Sequence, residues 1–171
     1  MSRRVIALFG ALLASVFAMA LSAVPASADD GTVTWGVQPT DNEVGSGRPN
    51  FGYEAHPGGT LRDSIDVLNH SDEPLRLKVY ASDAVTTAAG ALDLLPAGET
   101  PTDVGAWITL DAATITVPAD GVVSVPFTLT VPDDATPGDH TGGVVTSLIT
   151  DDGDAQVSVD RRLGSRVLIR V

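Results

Sequence analysis

The sequence predicts an all-β fold, an immunoglobulin-like antiparallel β-sandwich of about seven to nine strands. Three observations carry that prediction. Beyond residue 28, short runs alternate apolar and polar residues with a period of two. Clusters of Gly, Pro, Asn and Asp separate these runs at the intervals expected of a sandwich. No segment after the leader sustains a 3.6-residue apolar period.

The leader comes first. Arg3 and Arg4 give a positive start, Val5 to Val24 is an uncharged apolar run, and Pro25 breaks it. Ala26-Ser27-Ala28 then offers a small-x-small cleavage site ahead of Asp29-Asp30. About 20 apolar residues are also enough to span a bilayer. The helix breaker and the Ala-x-Ala site favour cleavage, so residues 1–28 read as a signal peptide and 29–171 as one domain. No cysteine follows the leader to take a lipid, and no second long apolar run follows it. The expectation is an exported envelope protein with no membrane span after cleavage. A single lysine, Lys78, beside abundant Ala, Gly, Asp, Val and Arg points to a high-GC bacterium.

The mature part reads as strands between turns. Thr32 to Val37 is the first strand, and the Gly/Pro-rich segment Gln38 to Pro49 is a loop. Asn50 to Ala55 is short and aromatic, and His56-Pro57-Gly58-Gly59 is a turn. Thr60 to Asn69 puts Leu61, Ile65 and Val67 on one face, shared near its start by Asp63. After the turn cluster Asn69 to Pro74, Leu75, Leu77, Val79 and Ala81 alternate with Arg76, Lys78, Tyr80 and Ser82. That pattern predicts one wet face carrying an exposed Tyr80. Asp83 to Gly98 reads as a loop with a small hairpin. Short strands follow around Trp107 to Leu110 and Ala113 to Val117. Val123 to Val131 alternates best of all, and Pro126 within it predicts an edge strand or a bulge. Pro132 to Asp139 is a loop, Gly143 to Thr150 a strand, and Asp151-Asp152-Gly153-Asp154 a tight acidic turn. Val157 to Asp160 and Arg166 to Val171 close the pattern. Phe127, Trp35 and Trp107 are expected in the core.

Composition removes several functions. The absence of cysteine excludes a disulfide framework, a thiolate metal site and a cysteine nucleophile. The formal charge is −12, and without Arg3 and Arg4 the remaining 22 acids face 8 bases, giving −14. Such a surface does not suit nucleic acid, whose phosphates need a basic partner. His56, His70 and His140 are far apart, beside turn residues, and read as solvated loop histidines rather than metal ligands. No metal and no cofactor are expected. There is no G-x-S-x-G elbow. The acids cluster in turns, where solvation accounts for them, so a carboxylate-dependent wall hydrolase is the weakest reading.

The ordered motifs carry a resemblance. Trp35-Gly36-Val37-Gln38-Pro39 is followed by Asn50-Phe51-Gly52-Tyr53-Glu54, then Pro57-Gly58-Gly59-Thr60-Leu61-Arg62-Asp63 and Ile65 to Ser71. Val79-Tyr80-Ala81-Ser82-Asp83-Ala84 comes next, then Trp107-Ile108, Val125-Pro126-Phe127, Val131 to Gly138 and Gly138 to Val144. From about Thr32 to Val171 the chain resembles the N-terminal, peptidoglycan-binding domain of the WxL-interacting cell-surface proteins of Gram-positive bacteria. The resemblance implies an immunoglobulin-like sandwich that binds peptidoglycan and helps hold surface complexes, without catalysis. Similar proteins continue into a second domain and a C-terminal membrane helix, whereas Arg166 to Val171 reads here as the last strand of the first domain. Anionic wall polymers repel a −14 domain at long range, but screening beyond about 8–10 Å leaves a local groove able to bind.

The site residues chosen on this reading are Arg48, Asn50, Phe51 and Tyr53, which follow the longest early polar loop. Their aromatics would stack on a saccharide. The same four residues also fit an ordinary strand entry with two core aromatics. A second functional reading is a protein–protein module that pairs with another cell-surface protein through an exposed sheet edge near Pro126.

Overall fold

The computed structural model describes residues 33–148 and 160–171. The expected signal peptide, the acidic turn at Asp151–Asp154 and residues 157–159 of the expected penultimate strand lie outside the described residues.

Ten strands and one helical turn are present among the described residues. The first five strands are β1 (Trp35–Pro39), β2 (Phe51–Glu54), β3 (Thr60–Asn69), β4 (Leu75–Thr86) and β5 (Leu92–Leu94). The turn α1 (Val104–Trp107) leads into β6 (Ile108–Leu110), β7 (Thr114–Val117), β8 (Val122–Thr130), β9 (Asp139–Leu148) and β10 (Arg162–Arg170). They build an all-β sandwich of two sheets. One has four strands in the order β1-β3-β8-β6. The other has six, ordered β2-β10-β9-β4-β5, with β7 pairing the first part of β4. The strand count exceeds the expected seven to nine by one, β5, whose three residues lie in the segment read as a loop with a small hairpin.

The two inner faces share one core. Phe51, Ile65, Val67, Leu77, Val79, Val125, Phe127, Leu129, Val144, Val167 and Ile169 are all buried in it, with Trp35 and Trp107 at its ends. Each such side chain contributes roughly 1.5–3 kcal/mol by leaving water. From Ser165 onward β10 keeps a period of two: Ser165, Val167 and Ile169 are buried while Arg166, Leu168 and Arg170 are exposed. Trp35 secures its indole N–H by donating to Thr146 Oγ1 at 2.9 Å, which tethers β1 to β9 across the sandwich.

Three details differ from the sequence reading. β8 is an inner strand of its sheet, flanked by β3 and β6. The Pro126 carbonyl accepts from Asp111 N at 3.0 Å, so its donor-free nitrogen faces the side on which pairing with β6 has just ended. Pro126 therefore marks where an inner strand becomes an edge. β9 begins at Asp139 rather than Gly143, because Gly142 joins the ladder opposite Asp83. A Cβ on Gly142 would lie 2.6 Å from Ser82 O and 2.7 Å from Val104 Cβ, so a glycine there lets α1 and β4 close over the strand.

The third is α1, which the sequence does not announce. Its Asp103 cap makes no side-chain hydrogen bond to the N–H groups of the turn. Instead the Asp83 carboxylate on β4 accepts from Thr102 N at 2.6 Å, Asp103 N at 3.0 Å and Gly105 N at 2.7 Å. A strand residue thus satisfies the free N–H groups of the turn.

Candidate binding groove

The four residues chosen from the sequence separate into an internal network and a groove. The loop before β2 closes on itself through Asn42 and Gly45, which exchange backbone hydrogen bonds at 3.1 Å. It then delivers Arg48 to Asp63 on β3. Arg48 Nη1 donates to Asp63 Oδ2 at 2.6 Å, and Nη2 donates to Oδ1 at 3.1 Å and to Thr40 O at 2.8 Å. The Tyr53 hydroxyl donates to Asp63 Oδ2 at 2.7 Å. Asn42 Nδ2 and Ser64 N donate to Oδ1 at 2.6 and 2.8 Å. The Asp63 side chain is wholly buried. Burial pushes its carboxyl up, but the bonds from Arg48, Tyr53, Asn42 and Ser64 outweigh it and hold the group below the usual carboxylate range. The same burial, together with Asp63, raises the Tyr53 phenol well above its ordinary value.

Phe51 sits under this network. Its ring is fully buried, stacked 6.4 Å from Tyr53 and edge-on to Phe127 at 5.2 Å, with the Arg48 guanidinium 5.6 Å above it. A ring with no exposed face cannot stack on a saccharide, so the stacking expected of Phe51 is corrected to a core role. The Tyr53 hydroxyl and the Arg48 terminal nitrogens are likewise engaged inside the protein. Asp63 is the residue the sequence underweighted. A lone acid on an otherwise apolar strand face, with an Arg and a Tyr upstream, was the available signal.

Asn50 goes elsewhere. β2 runs parallel to β10, with Phe51 opposite Val167 and Tyr53 opposite Ile169. One step before that first rung stand Asn50 and Arg166, and both line a groove of about 550 Å³ on the outer face of the six-stranded sheet. Leu92, Leu94, Val145 and Gly164 supply its apolar surface, and Arg162, Asp93 and Asp160 its far end. Glycines shape it. A Cβ on Gly143 would come within 2.7 Å of Leu94 Cδ1, and one on Gly164 within 3.1 Å of the same atom. With no side chain at either position, Leu94 of the β4–β5 hairpin packs directly on the sheet face.

The guanidinium groups on this face are in different states. Arg162 lies 3.3 Å from Asp160 and donates to Leu94 O at 3.3 Å. The buried Tyr80 hydroxyl beside it, then Asp160 and Asp93, raise its pKa against partial burial. Tyr80, expected in solvent, is thus half-buried with its hydroxyl covered. Arg170 is held bidentately by Asp139 at 2.7 and 2.9 Å. Between them Arg166 is exposed and makes no hydrogen bond or ion pair among the described residues. Sequence reasoning took Arg166 for an ordinary strand residue and passed over Arg162. The signal was the spacing of Arg162, Arg166 and Arg170, which places three cations on one face of one strand.

His140 also departs from the solvated loop expected of it. It stands on β9 with Nδ1 2.8 Å from Asp103 Oδ1, Nε2 2.8 Å from Thr136 O, and its ring 4.7 Å from that of Trp107. Among the described residues, no three His, Asp or Glu side chains are grouped to hold a metal ion. No helix there is long and apolar enough to cross a membrane.

No family model matches the chain, and no curated protein matches it. Solved structures resemble its fold. A family 123 glycoside hydrolase from Clostridium perfringens, studied for glycolipid glycan hydrolysis, is 12% identical with a TM-score of 0.53; the match covers 81% of this chain and 27% of that one. The E. coli chaperone DraB is 9% identical, with a TM-score of 0.49 over 81% of this chain and 55% of its own. A chain of the Salmonella enterica SafA pilin–SafB chaperone complex is 12% identical, with a TM-score of 0.48 over 80% and 55%. The chain thus spans about a quarter of the hydrolase and about half of the other two. What is shared is the immunoglobulin-like sandwich.

Proposed function

We propose that this protein is an exported, non-enzymatic module of the cell envelope that binds peptidoglycan. The observation that carries the reading is the groove on the outer sheet face, where apolar Leu92, Leu94 and Val145 meet Asn50 and an Arg166 with no ion pair among the described residues. Binding grooves combine an apolar lining with a few placed polar groups. The leader motif supports export, and the ordered motifs shared with the WxL-interacting family support the wall as ligand. The buried acids argue for binding over hydrolysis. Asp63 and Asp83 spend their oxygens on internal donors, and Asp63 is held ionised, whereas glycoside hydrolysis needs a carboxyl kept protonated. The test is sedimentation of the mature protein, Asp29 to Val171, with insoluble peptidoglycan stripped of teichoic acid and protein. Saturable co-pelleting that soluble muropeptides compete away is expected. A folded protein left in the supernatant overturns the reading.

A second reading rests on β8. From Val122 to Ser124 its outer side has no partner strand, and Val122 is 55% exposed there. This edge could receive a strand of another surface protein. That reading predicts affinity for a surface protein, abolished by Val122→Pro, with none for purified walls.

A further inference from the structure

We infer that Arg166 and Asn50 form a carboxylate-recognition site, so that the groove takes its ligand by a free carboxylate rather than by a neutral sugar face. The inference rests on the wall-binding reading and names the chemical group recognised.

The argument begins with charge. Among the described residues three of the eight Arg and Lys side chains are in ion pairs, and Arg62, Arg76, Lys78, Arg161 and Arg166 are not. Arg48 has Asp63, Arg162 has Asp160, and Arg170 has Asp139. Arg166 lies on the same strand face as two of these, has no partner among the described residues, and alone of the unpaired bases lines this groove. Its neighbours explain why. Across the ladder it stands opposite Gly143 on β9; on the other side the β2 register brings Asn50; along the strand come Gly164 and Leu168. No neighbouring rung supplies a carboxylate, and two of the four residues have no side chain to shield the guanidinium. The flanking cations cannot turn to help, because each is already tied down.

A guanidinium offers two parallel N–H donors that match both oxygens of a carboxylate. The Asn50 amide adds a donor for either oxygen. Next to them, Leu94 and Val145 give an apolar surface for a small side chain such as the methyl of alanine. The far end of the groove sets Asp93 and Asp160 against Arg162, which Asp160 already pairs, so it is net acidic and disfavours a second carboxylate. The site is therefore polarised, with its carboxylate-binding end fixed at Arg166. In the wall, a free carboxylate is found at the end of a stem peptide, or on muramic acid where a peptide has been removed.

The test is titration of the ¹⁵N-labelled mature protein with three soluble probes. These are a synthetic stem peptide as the free acid, the same peptide with its carboxyls converted to amides, and amidase-stripped glycan strands bearing muramyl carboxylates. The free acid is expected to shift the Asn50, Arg166 and Gly143 amides and to bind at least tenfold more tightly than the amide. Arg166→Gln should remove that difference. Asn50→Asp, which places an internal carboxylate beside Arg166, should weaken the acid at least tenfold. Both changes lie on the exposed face, and an unchanged urea midpoint verifies the fold. Strands that bind through Arg166 while the peptide does not would assign the same site to the sugar acid. Equal affinity for acid and amide, or an Arg166→Gln variant that binds like the parent, overturns the inference. Whole peptidoglycan run in parallel separates the two failures: if it still pellets the protein, wall binding stands and only the carboxylate site falls.

Discussion

Two nitrogens of Arg48 reach both oxygens of Asp63, Nη1 to Oδ2 at 2.6 Å and Nη2 to Oδ1 at 3.1 Å. The pair joins the loop before β2 to β3 at a place where Asp63 is wholly buried. It fixes the entry angle of β2, and with it the position of Asn50 at the groove.

Breaking one side of this pair should be costly. Asp63→Ala removes the acceptor of Arg48 Nη1, of the half-buried Tyr53 hydroxyl and of Asn42 Nδ2, and leaves Arg48 only Thr40 O. The expected loss is about 3–5 kcal/mol, the range for removing one partner of a buried ion pair. Arg48→Ala should cost somewhat less, because Tyr53, Asn42 and Ser64 still solvate the carboxylate. Urea unfolding measures both. A loss within about 1 kcal/mol for Asp63→Ala, the size of a surface pair, would show that the network does not hold the fold.

The same carboxylate sets the acid limit. Its folded pKa lies below its unfolded value, so its contribution is fully present above about pH 4 and disappears as pH falls through the lower, folded value. The urea midpoint is expected to drop steeply below about pH 4. In Asp63→Asn, already destabilised, that part of the slope should be missing. An equally steep slope in the variant would assign the acid limb to other groups.

The sheets were legible in the sequence where alternation was long. β3 was read to the residue, β4 and β8 were found by their period of two, and β10 was read only from Arg166 onward. What was not legible depends on contacts between distant segments. α1 exists because Asp83 caps it from another strand, and β9 starts early because Gly142 admits Val104. Neither interaction leaves a local pattern. The site was half legible for the same reason. Arg48, Phe51 and Tyr53 were noticed for their chemistry, but only the buried Asp63 shows that this chemistry faces inward. Asn50 reaches the groove through a parallel pairing with a strand more than a hundred residues away, which no local rule reveals.

His140 should set an alkaline slope. Both ring nitrogens face acceptors, Thr136 O and Asp103 Oδ1, and only the protonated ring can donate to both. The bond to Thr136 O raises its pKa, burial opposes, and Asp103 and Asp139 add to the rise. A raised folded pKa gives stability that is complete below the unfolded value, about 6.5, and is lost as pH rises through the folded one. Thermal unfolding should therefore show a fall in midpoint above about pH 6.5 that is absent in His140→Gln. A parent protein with a flat midpoint from pH 6 to 9 would contradict it.

Gly142 and Gly143 are adjacent, and alanine at each should fail differently. At Gly142 the new Cβ would meet the Ser82 carbonyl at 2.6 Å and the Val104 side chain at 2.7–2.8 Å. A backbone atom cannot step aside, so Gly142→Ala should destabilise at the upper end of the overpacking range, about 3 kcal/mol. At Gly143 the nearest atom, at 2.7 Å, is Leu94 Cδ1, the tip of a side chain on a three-residue strand that can rotate or lift. Gly143→Ala should cost about 1 kcal/mol or less, yet displace Leu94 from the groove wall beside Arg166. The first variant should therefore lower the urea midpoint and bind peptidoglycan normally once folded. The second should keep the midpoint and bind several-fold more weakly. Gly52→Ala is the control, because nothing lies within 4 Å of its Cβ. If Gly143→Ala and Gly52→Ala pellet alike with the wall, Leu94 does not shape the binding surface, and the groove is not where the ligand sits.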